Sequence, residues 1–356
     1  MSPDFCRYFY YLWALEPLFQ SNIFTYTMKL KNILCAAVIP FILGCQSENS
    51  SCTLPAWNDT PVKARLLEFI NKDVDQIPVA DRIAVFDMDG TLVCEKPWGI
   101  ETFVSLHKLA ALGETDSVVR EWKEYQFAKK LLVNPRDTAV LNHAYENGQN
   151  YFANIILKPF DGADKEEYVE FANQCLSTDK HWEHDRAYGD MFYQPMLELI
   201  DALKKKQFQI YIVSASMQGI VWSICPQELG LERDHLIGIR HPKQVHFAAD
   251  GKVSYTIKAG MMSPVNSFEG KTINIYDHIG KLPVMAVGNA YSDFGMFHLT
   301  EGSGHPHVAL LLHHDDAERE YVYEPTHSVN WQDTLRHYNW LQADMSKEFK
   351  EVWKKK

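Results

Sequence analysis

The chain has 356 residues, of which 46% are hydrophobic and 23% are charged, which suits one large soluble domain or two modest ones. Its formal net charge of −11, with no basic stripe to offset it, argues against nucleic acid as the main partner. Seven scattered cysteines without a Cys-x-x-Cys pair argue against a zinc site.

The N-terminal region has the pattern of a targeting segment. A basic start at Met28 is followed by an apolar run that is too short to span a membrane, and then by Cys45. Residues 28–44 resemble a bacterial lipoprotein signal peptide, and an ordinary secretory signal or a short hydrophobic anchor is the alternative. The resemblance implies a lipid on Cys45 and a membrane-anchored protein of the bacterial cell envelope that faces the periplasm.

Two segments beside this signal follow from the same reasoning. Residues 1–27 are aromatic-rich and precede a complete signal, so we expect them to be a mis-assigned upstream extension, with translation starting at Met28. Residues 45–55 are mostly polar, and we expect them to be a tether between the lipid and the folded part.

The first folded elements are predicted within 57–86. A helix is expected in 57–75, because apolar residues recur at helical spacing behind a polar cap and Pro61. The run Ile83–Phe86 consists of apolar strand formers and predicts a buried strand.

The stretch from 97 to 196 shows helical patterns and no convincing strand. Helices are predicted at 102–112, 117–132, 138–147, 151–156 and 165–176. We therefore expect an all-helical insert at 97–196, between two parts of a core formed by 56–96 and 197–356.

Strands and helices alternate in the remaining part of the chain. Helices are predicted at 195–206, 217–229 and 274–280, strands at 208–213, 283–287 and 307–312, and a hairpin within 237–255. Strands that alternate with helices are typical of α/β proteins with a doubly wound parallel sheet.

The most informative motif is Asp87-Met88-Asp89-Gly90-Thr91, directly after the first predicted strand. Side chains two residues apart on an extended segment share a face, so the carboxylates of Asp87 and Asp89 can address one reacting centre. Open α/β sheets keep their sites at the carboxyl ends of the strands, where these two residues are expected. A calcium-binding loop starts in a similar way, but its twelfth position would be Trp98 instead of a glutamate.

Two later strands also end in polar residues. The strand at 208–213 leads into Ser214, and the strand at 283–287 leads into Asn289 and Asp293. Two acids, a hydroxyl, a lysine, and then an amide with an acid follow one another in this order along the chain. The set resembles the haloacid dehalogenase-like hydrolase superfamily, and within it the phosphoserine phosphatase-like and phosphorylcholine phosphatase-like secreted branch.

This resemblance implies a Rossmann-like core with an inserted cap and gives four side chains a catalytic role. Asp87 would be the nucleophile that forms an aspartyl-phosphate, and Asp89 the general acid and base. Ser214 would donate a hydrogen bond to a phosphate oxygen. The lysine of the family falls most naturally on Lys271.

Two other lysines that precede Asn289 are alternatives to Lys271 as the family lysine. They are Lys258 and Lys281. An exposed surface lysine is the simpler interpretation for each of the three.

The resemblance also implies Mg²⁺ as the cofactor. The carboxylates of Asp87 and Asp293 and the backbone carbonyl of Asp89 would hold it, in the oxygen-only, incomplete shell that suits this metal. The family motif usually has an aspartate where this chain has Asn289, so we expect weaker binding of Mg²⁺ without loss of catalysis.

The expected substrate is a small phosphomonoester, because a cap over the site excludes water and favours small molecules. Turn residues Gly90, Thr91 and Ala215 would lie beside the phosphate. Glu95 and Trp98 could hold a substrate ammonium, although a helix-start acid beside a packed tryptophan is an equal alternative.

The resemblance thus implies a Mg²⁺-dependent phosphomonoester hydrolase that acts outside the cytoplasm. Two alternatives stay open. A phosphotransferase would pass the phosphoryl group to an alcohol, and a catalytically impaired lipoprotein would serve as a binding module. The segment His313–Tyr321 also resembles the secreted branch, but it has no mechanistic role in this interpretation.

Overall fold

The computed structural model describes residues 51–137, 139–140, 151–323 and 331–355. The predicted extension at 1–27, the predicted signal at 28–44 and Cys45 lie outside these residues. Most of the predicted helix at 138–147 lies outside them as well. The described residues belong to a single compact unit.

The described helices agree with most of the predicted ones. They are α1 (Pro61–Asn71), α2 (Ile100–Thr115), α3 (Ser117–Arg120), α4 (Lys123–Val133), α5 (Tyr151–Leu157), α6 (Lys165–Thr178), α7 (Gln194–Lys205), α8 (Gln218–Leu229), α9 (Glu269–Ile279), α10 (Phe294–Glu301), α11 (Trp331–Tyr338) and α12 (Met345–Glu348). The α1 helix starts as expected, with Pro61 in its first turn and the Thr60 hydroxyl accepting a hydrogen bond from the Lys63 amide. Among the described helices, none is both long enough and apolar enough to cross a membrane.

Six strands form one parallel sheet, and two more form a separate antiparallel hairpin. The strands are β1 (Ile83–Phe86), β2 (Gln209–Met217), β3 (Leu236–Ile239), β4 (Lys243–Phe247), β5 (Val253–Ile257), β6 (Met285–Gly288), β7 (Val308–His313) and β8 (Leu341–Asp344). The order across the sheet is β3-β2-β1-β6-β7-β8, and β4 pairs with β5. The β1 strand is therefore central, between β2 and β6.

Alternate residues of the central strand pack on opposite faces of the sheet. Ala84 and Phe86 belong to the larger apolar cluster, which includes side chains of α1, α7 and α8. Val85 belongs to a second cluster that contains Ile275 of α9 and Phe297 of α10. Helices thus cover both faces, which confirms the prediction of a doubly wound parallel α/β sheet.

Two strands of the sheet were missed by the sequence pattern. The stretch predicted as one hairpin at 237–255 begins with β3, a parallel strand, and the hairpin covers only β4 and β5. Within β3, Gly238 interrupts the apolar run between two isoleucines. A larger residue would not fit there, because an added Cβ would lie 2.8 Å from the Cα of Gln218 at the start of α8. The other missed strand, β8, is a four-residue edge strand with polar residues.

The insert at 97–196 is helical, as predicted, within its described residues. The helix expected at 117–132 is divided into α3 and α4, because the chain becomes extended at Trp122. Side chains of α2, α4 and α5, among them Leu106, Leu131 and Ile155, form a small apolar cluster of their own. The α2 helix also contributes Phe103 to the larger cluster, so the insert and the sheet share one apolar core.

Candidate active site

The polar residues predicted as a site emerge from the same edge of the sheet. Parallel strands present their carboxyl ends together, and the central β1 carries Asp87 and Asp89 between Ser214 on β2 and Asn289 after β6. The Asp87 amide donates to the Val287 carbonyl at 2.9 Å, so hydrogen bonding to β6 continues into the motif.

Lys271 is the lysine that reaches this group. Its Nζ lies 2.6 Å from Oδ1 of Asp87 and 2.6 Å from Oδ1 of Asp293, and its side chain is almost completely buried. The two alternatives lie elsewhere, since Lys281 pairs with Asp81 at the surface and Lys258 is exposed.

Burial opposes the positive charge of Lys271, but the carboxylates of Asp293 and Asp87 outweigh it and raise the Lys271 pKa above its ordinary value. Burial also raises the pKa of Asp87, and the neighbouring Asp293 carboxylate adds to this effect, while Lys271 acts against it. The site therefore holds one cation between two acids whose charges repel each other.

Asp89 has a different environment from Asp87. Its Oδ2 accepts hydrogen bonds from the Ser216 hydroxyl at 2.7 Å and from the Ser214 hydroxyl at 3.3 Å. Burial raises the pKa of Asp89, although both hydroxyls act in the opposite direction. An added Cβ on Gly99 would lie 3.6 Å from Oδ1 of Asp89, so this oxygen faces the start of α2. A carboxyl group with a raised pKa is suited to donating a proton.

Asn289 links the motif on β1 to the loop after β6. Its Oδ1 accepts a hydrogen bond from the Thr91 hydroxyl at 3.1 Å, and its Nδ2 donates to Oε1 of Glu95 at 3.2 Å. Gly90 is required where these groups meet, because its φ is +74° and an added Cβ would lie 2.1 Å from the Asn289 Nδ2. Glu95 therefore lies beside Asn289, where burial raises its pKa and the Asp89 charge adds to this effect.

Asp293 is fixed by the loop that it follows. Its Oδ2 accepts hydrogen bonds from the amides of Asn289 at 3.0 Å and Ala290 at 2.9 Å, while its Oδ1 faces Lys271. Gly288 makes this approach possible, because an added Cβ would lie 2.5 Å from the Asp293 Cβ.

Two other predicted residues lie at the margin of the group. Ala215 is exposed between the two buried serines of β2. Trp98 packs against the apolar cluster of the helical insert, and its carbonyl accepts a hydrogen bond from the Tyr188 hydroxyl at 2.6 Å.

Several residues around the site were not singled out in the sequence. Ser216 was detectable, because its spacing of two from Ser214 places both hydroxyls on one face of β2. Asn266 was not, since it comes from a loop; its Nδ2 donates to the carbonyls of Ser214 at 2.6 Å and Ile237 at 2.9 Å, which joins the ends of β2 and β3. Glu101 is in the first turn of α2 and accepts a hydrogen bond from the Met217 amide at 3.1 Å.

Glu101 gives the protein a predicted pH dependence. Burial, with the Asp89 charge in addition, raises the pKa of Glu101 to about 8 from an ordinary value of 4.5. Between pH 4.5 and about 8, Glu101 is protonated in the folded protein and ionised in the unfolded chain. Its contribution to the free energy of unfolding is therefore complete below pH 4.5 and is lost as the pH rises towards 8. We expect Glu101→Gln to increase the free energy of unfolding by roughly 1–3 kcal/mol at pH 8 and to change it little at pH 5.

Urea unfolding at both pH values measures this difference. Glu114→Gln is the matched control, because Glu114 is an exposed residue of the same helix. An equal effect of Glu101→Gln at pH 5 and pH 8 would contradict the assignment.

The residues at this edge of the sheet fit a magnesium ion. The group offers carboxylates from Asp87 and Asp293, an amide oxygen from Asn289 and the nearby carboxylate of Glu95, which are all oxygen donors. Gly90 lets the side chains of Asn289 and Glu95 approach the motif closely, since an added Cβ would lie 2.1 Å from the Asn289 Nδ2 and 2.5 Å from Oε1 of Glu95. Asp87, Asp293, Asn289 and the backbone carbonyl of Asp89 would hold the ion.

Comparison with known proteins agrees with this description. Residues 84–298, more than half of the chain, match the model of the haloacid dehalogenase-like hydrolase family. No curated protein sequence matches the chain.

Solved structures with a related fold share little sequence with it. A functionally unknown protein from Anaerococcus prevotii is 15% identical, with 78% of this chain and 88% of that chain covered and a TM-score of 0.47. A protein of unknown function from Bordetella pertussis is 13% identical, with 74% and 98% covered and a TM-score of 0.47. The family match spans β1 to α10 and includes every predicted catalytic residue. The chain belongs to the haloacid dehalogenase-like hydrolase family.

Proposed function

We propose that this protein is a Mg²⁺-dependent phosphomonoester hydrolase that works through an aspartyl-phosphate on Asp87. The observation that supports this most directly is the buried cluster in which Lys271 lies 2.6 Å from both Asp87 and Asp293. Phosphoryl transfer needs an aligned nucleophile and neutralisation of the phosphoryl oxygens, and little else from the protein. The cluster offers both.

The reaction has two steps on this chain. A carboxylate oxygen of Asp87 attacks phosphorus, and the bond from phosphorus to the ester oxygen breaks as Asp89 gives that oxygen a proton. Asp89, now ionised, then takes a proton from water, whose oxygen attacks the same phosphorus and releases phosphate from Asp87. Bound Mg²⁺ would neutralise phosphoryl charge and favour the ionised form of Asp87.

Asp89 distinguishes phosphate ester chemistry from dehalogenation within this family. A halide leaves without a proton, whereas an alkoxide leaving group requires one. Asp89 is held for this task by the Ser214 and Ser216 hydroxyls, and burial raises its pKa. The proton donor is therefore positioned two residues from the nucleophile.

The same geometry supports a small substrate. Asp87, Ser214 and Asp293 are at most 6% exposed, and the first helix of the insert starts against Asp89. Entry of a phosphate group requires the helical cap to open, and closure then excludes water and bulky substrates.

A panel of phosphomonoesters with p-nitrophenyl phosphate as the reference tests the proposal. We expect phosphate release that requires Mg²⁺ and stops when the metal is chelated. An added alcohol acceptor that became phosphorylated at the expense of free phosphate would favour the phosphotransferase. Absence of any release across the panel would contradict the proposal.

Glu95 gives this proposal a further prediction. Asn289 stands where the family usually has an aspartate, so the site lacks one negative charge there. The Glu95 carboxylate lies 3.2 Å from the Asn289 amide nitrogen and supplies a negative charge beside it. We expect Glu95→Gln to raise the Mg²⁺ concentration for half-maximal activity by roughly 10–100-fold, in the range found for residues that support metal ligands. We expect Asn289→Asp to lower it.

Calorimetric titration of Mg²⁺ into the metal-free variants checks this without relying on activity. Glu114→Gln again serves as the control, because it removes an exposed acid of α2. Unchanged Mg²⁺ binding in Glu95→Gln would show that this carboxylate does not act on the metal.

We also propose that the chemistry takes place outside the cytoplasm, on a protein anchored by a lipid on Cys45. The support is the pattern of residues 28–44 described above. Intact-mass measurement of the protein from its native membrane tests the cleavage site, the lipid and the start at Met28 together. A mass that includes residues 28–44 would contradict it.

A further inference from the structure

His314, directly after β7, contacts the loop that carries the motif at 87–91. This loop, residues 87–94, is called the catalytic loop below. The Nε2 of His314 lies 2.6 Å from the carbonyl oxygen of Gly90, and its Nδ1 lies 2.9 Å from Oε2 of Glu320. The side chains of His314 and Glu320 are 1% and 0% exposed. Both residues belong to the segment His313–Tyr321, which the proposed reaction does not use.

The Gly90 carbonyl takes its hydrogen-bond donor from outside the loop 87–94. Within the loop the Gly90 amide donates to the Val93 carbonyl at 2.8 Å, and the Met88 carbonyl accepts from the Leu92 amide at 2.8 Å. Gly90 itself is in the left-handed region, with φ +74°. A buried carbonyl requires a donor, and His314 provides it.

The ring of His314 is held at both nitrogens and on one face. The Glu320 carboxylate that binds its Nδ1 also accepts hydrogen bonds from the Tyr193 hydroxyl at 2.8 Å and the Tyr321 amide at 2.7 Å. The ring of Tyr323 stacks on it with a centroid distance of 3.8 Å and an interplanar angle of 8°. The Nε2–H therefore has one direction, towards Gly90.

Gly90 joins the proton donor of the proposed mechanism to a residue that contacts Asn289. Asp89 precedes it, and Thr91 follows it and donates to Asn289. We propose that His314, oriented by Glu320, is a positioning residue that fixes the Gly90 carbonyl and thereby the placement of Asp89 and Thr91. The catalytic part of this inference depends on the proposed function, and the placement of the loop does not.

Two variants and a matched control test the inference in the full-length protein. His314→Ala removes the donor to Gly90. His313→Ala is the control, because the neighbouring His313 is half exposed and pairs with Asp344 instead of the catalytic loop. If His314→Ala does not fold, the double variant His314→Gln/Glu320→Gln, which replaces the buried pair with two neutral amides, is measured by the same criteria.

The first readout is hydrolysis of p-nitrophenyl phosphate. A displacement of about 1 Å in a catalytic group costs on the order of 100-fold in rate, so we expect kcat of His314→Ala to fall by about that factor, with KM changed less than about threefold. His313→Ala should retain the kcat of the unaltered protein.

The second readout is hydrogen exchange of the metal-free protein, which is independent of activity. We expect faster exchange in 87–94 alone for His314→Ala. Faster exchange throughout the sheet, or an unchanged kcat with unchanged exchange in 87–94, would overturn the positioning role. If the unaltered protein hydrolyses no phosphate ester, the proposed function fails, and exchange in 87–94 still decides whether His314 holds the loop.

Discussion

Replacement of Asp87 by asparagine should abolish phosphate release, with a loss of at least about 10⁴-fold in kcat. Asparagine has the size of aspartate but cannot form the acyl-phosphate, so the loss is chemical. The fold should persist, because burial and the Asp293 carboxylate already disfavour the charged form of Asp87. The measurement is phosphate release from p-nitrophenyl phosphate, with thermal unfolding alongside.

The covalent step has a direct readout. Acid quenching of the unaltered enzyme during turnover should leave a phosphoryl group on the peptide that contains Asp87, and Asp87→Asn should lack it. Asp81→Asn is the control, because Asp81 is a surface acid paired with Lys281. More than a tenth of the original activity in Asp87→Asn would refute the assignment of the nucleophile.

Replacement of Lys271 by methionine should have the second large effect, because it should lower both stability and activity. Lys271 is 1% exposed and bonded to two acids, so its loss leaves Asp87 and Asp293 buried next to each other without a cation. Breaking a buried pair in this way costs roughly 3–5 kcal/mol. Activity should fall as well, since the phosphoryl oxygens lose a fixed positive charge.

The pH dependence of the stability of Lys271→Met shows whether the unpaired acids cause the loss. Burial raises the pKa of Asp87, so this carboxyl takes up a proton readily once Lys271 is gone, and the loss of stability should be smaller at pH 5 than at pH 8. Urea unfolding at the two pH values measures it. Lys281→Met is the control, a surface pair for which we expect less than about 1 kcal/mol. A penalty equal to that of the control would mean that Lys271 does not hold the acids together.

Local features of the sequence were sufficient to predict many of the strands and helices. Apolar runs of strand formers predicted β1, β2, β6 and β7, and the polar cap with Pro61 predicted the start of α1. These features are encoded within a few residues, because strand burial and helix capping depend on neighbours in the chain. The two strands that were missed depend on distant partners: β3 is short and interrupted by Gly238, and β8 joins the sheet edge with polar residues.

By itself, the sequence determined the fold class and the family, and it predicted the order of the candidate catalytic residue types along the chain. Only the tertiary structure decided which lysine meets Asp87, that Ser216 shares the hydrogen bonding of Asp89, and that Glu95 faces Asn289. It also decided that His314, 224 positions from Gly90, holds its carbonyl. The physical reason is that a strand or helix is specified by local periodicity, whereas a hydrogen bond between distant residues exists only after parallel strands have brought their carboxyl ends to one edge.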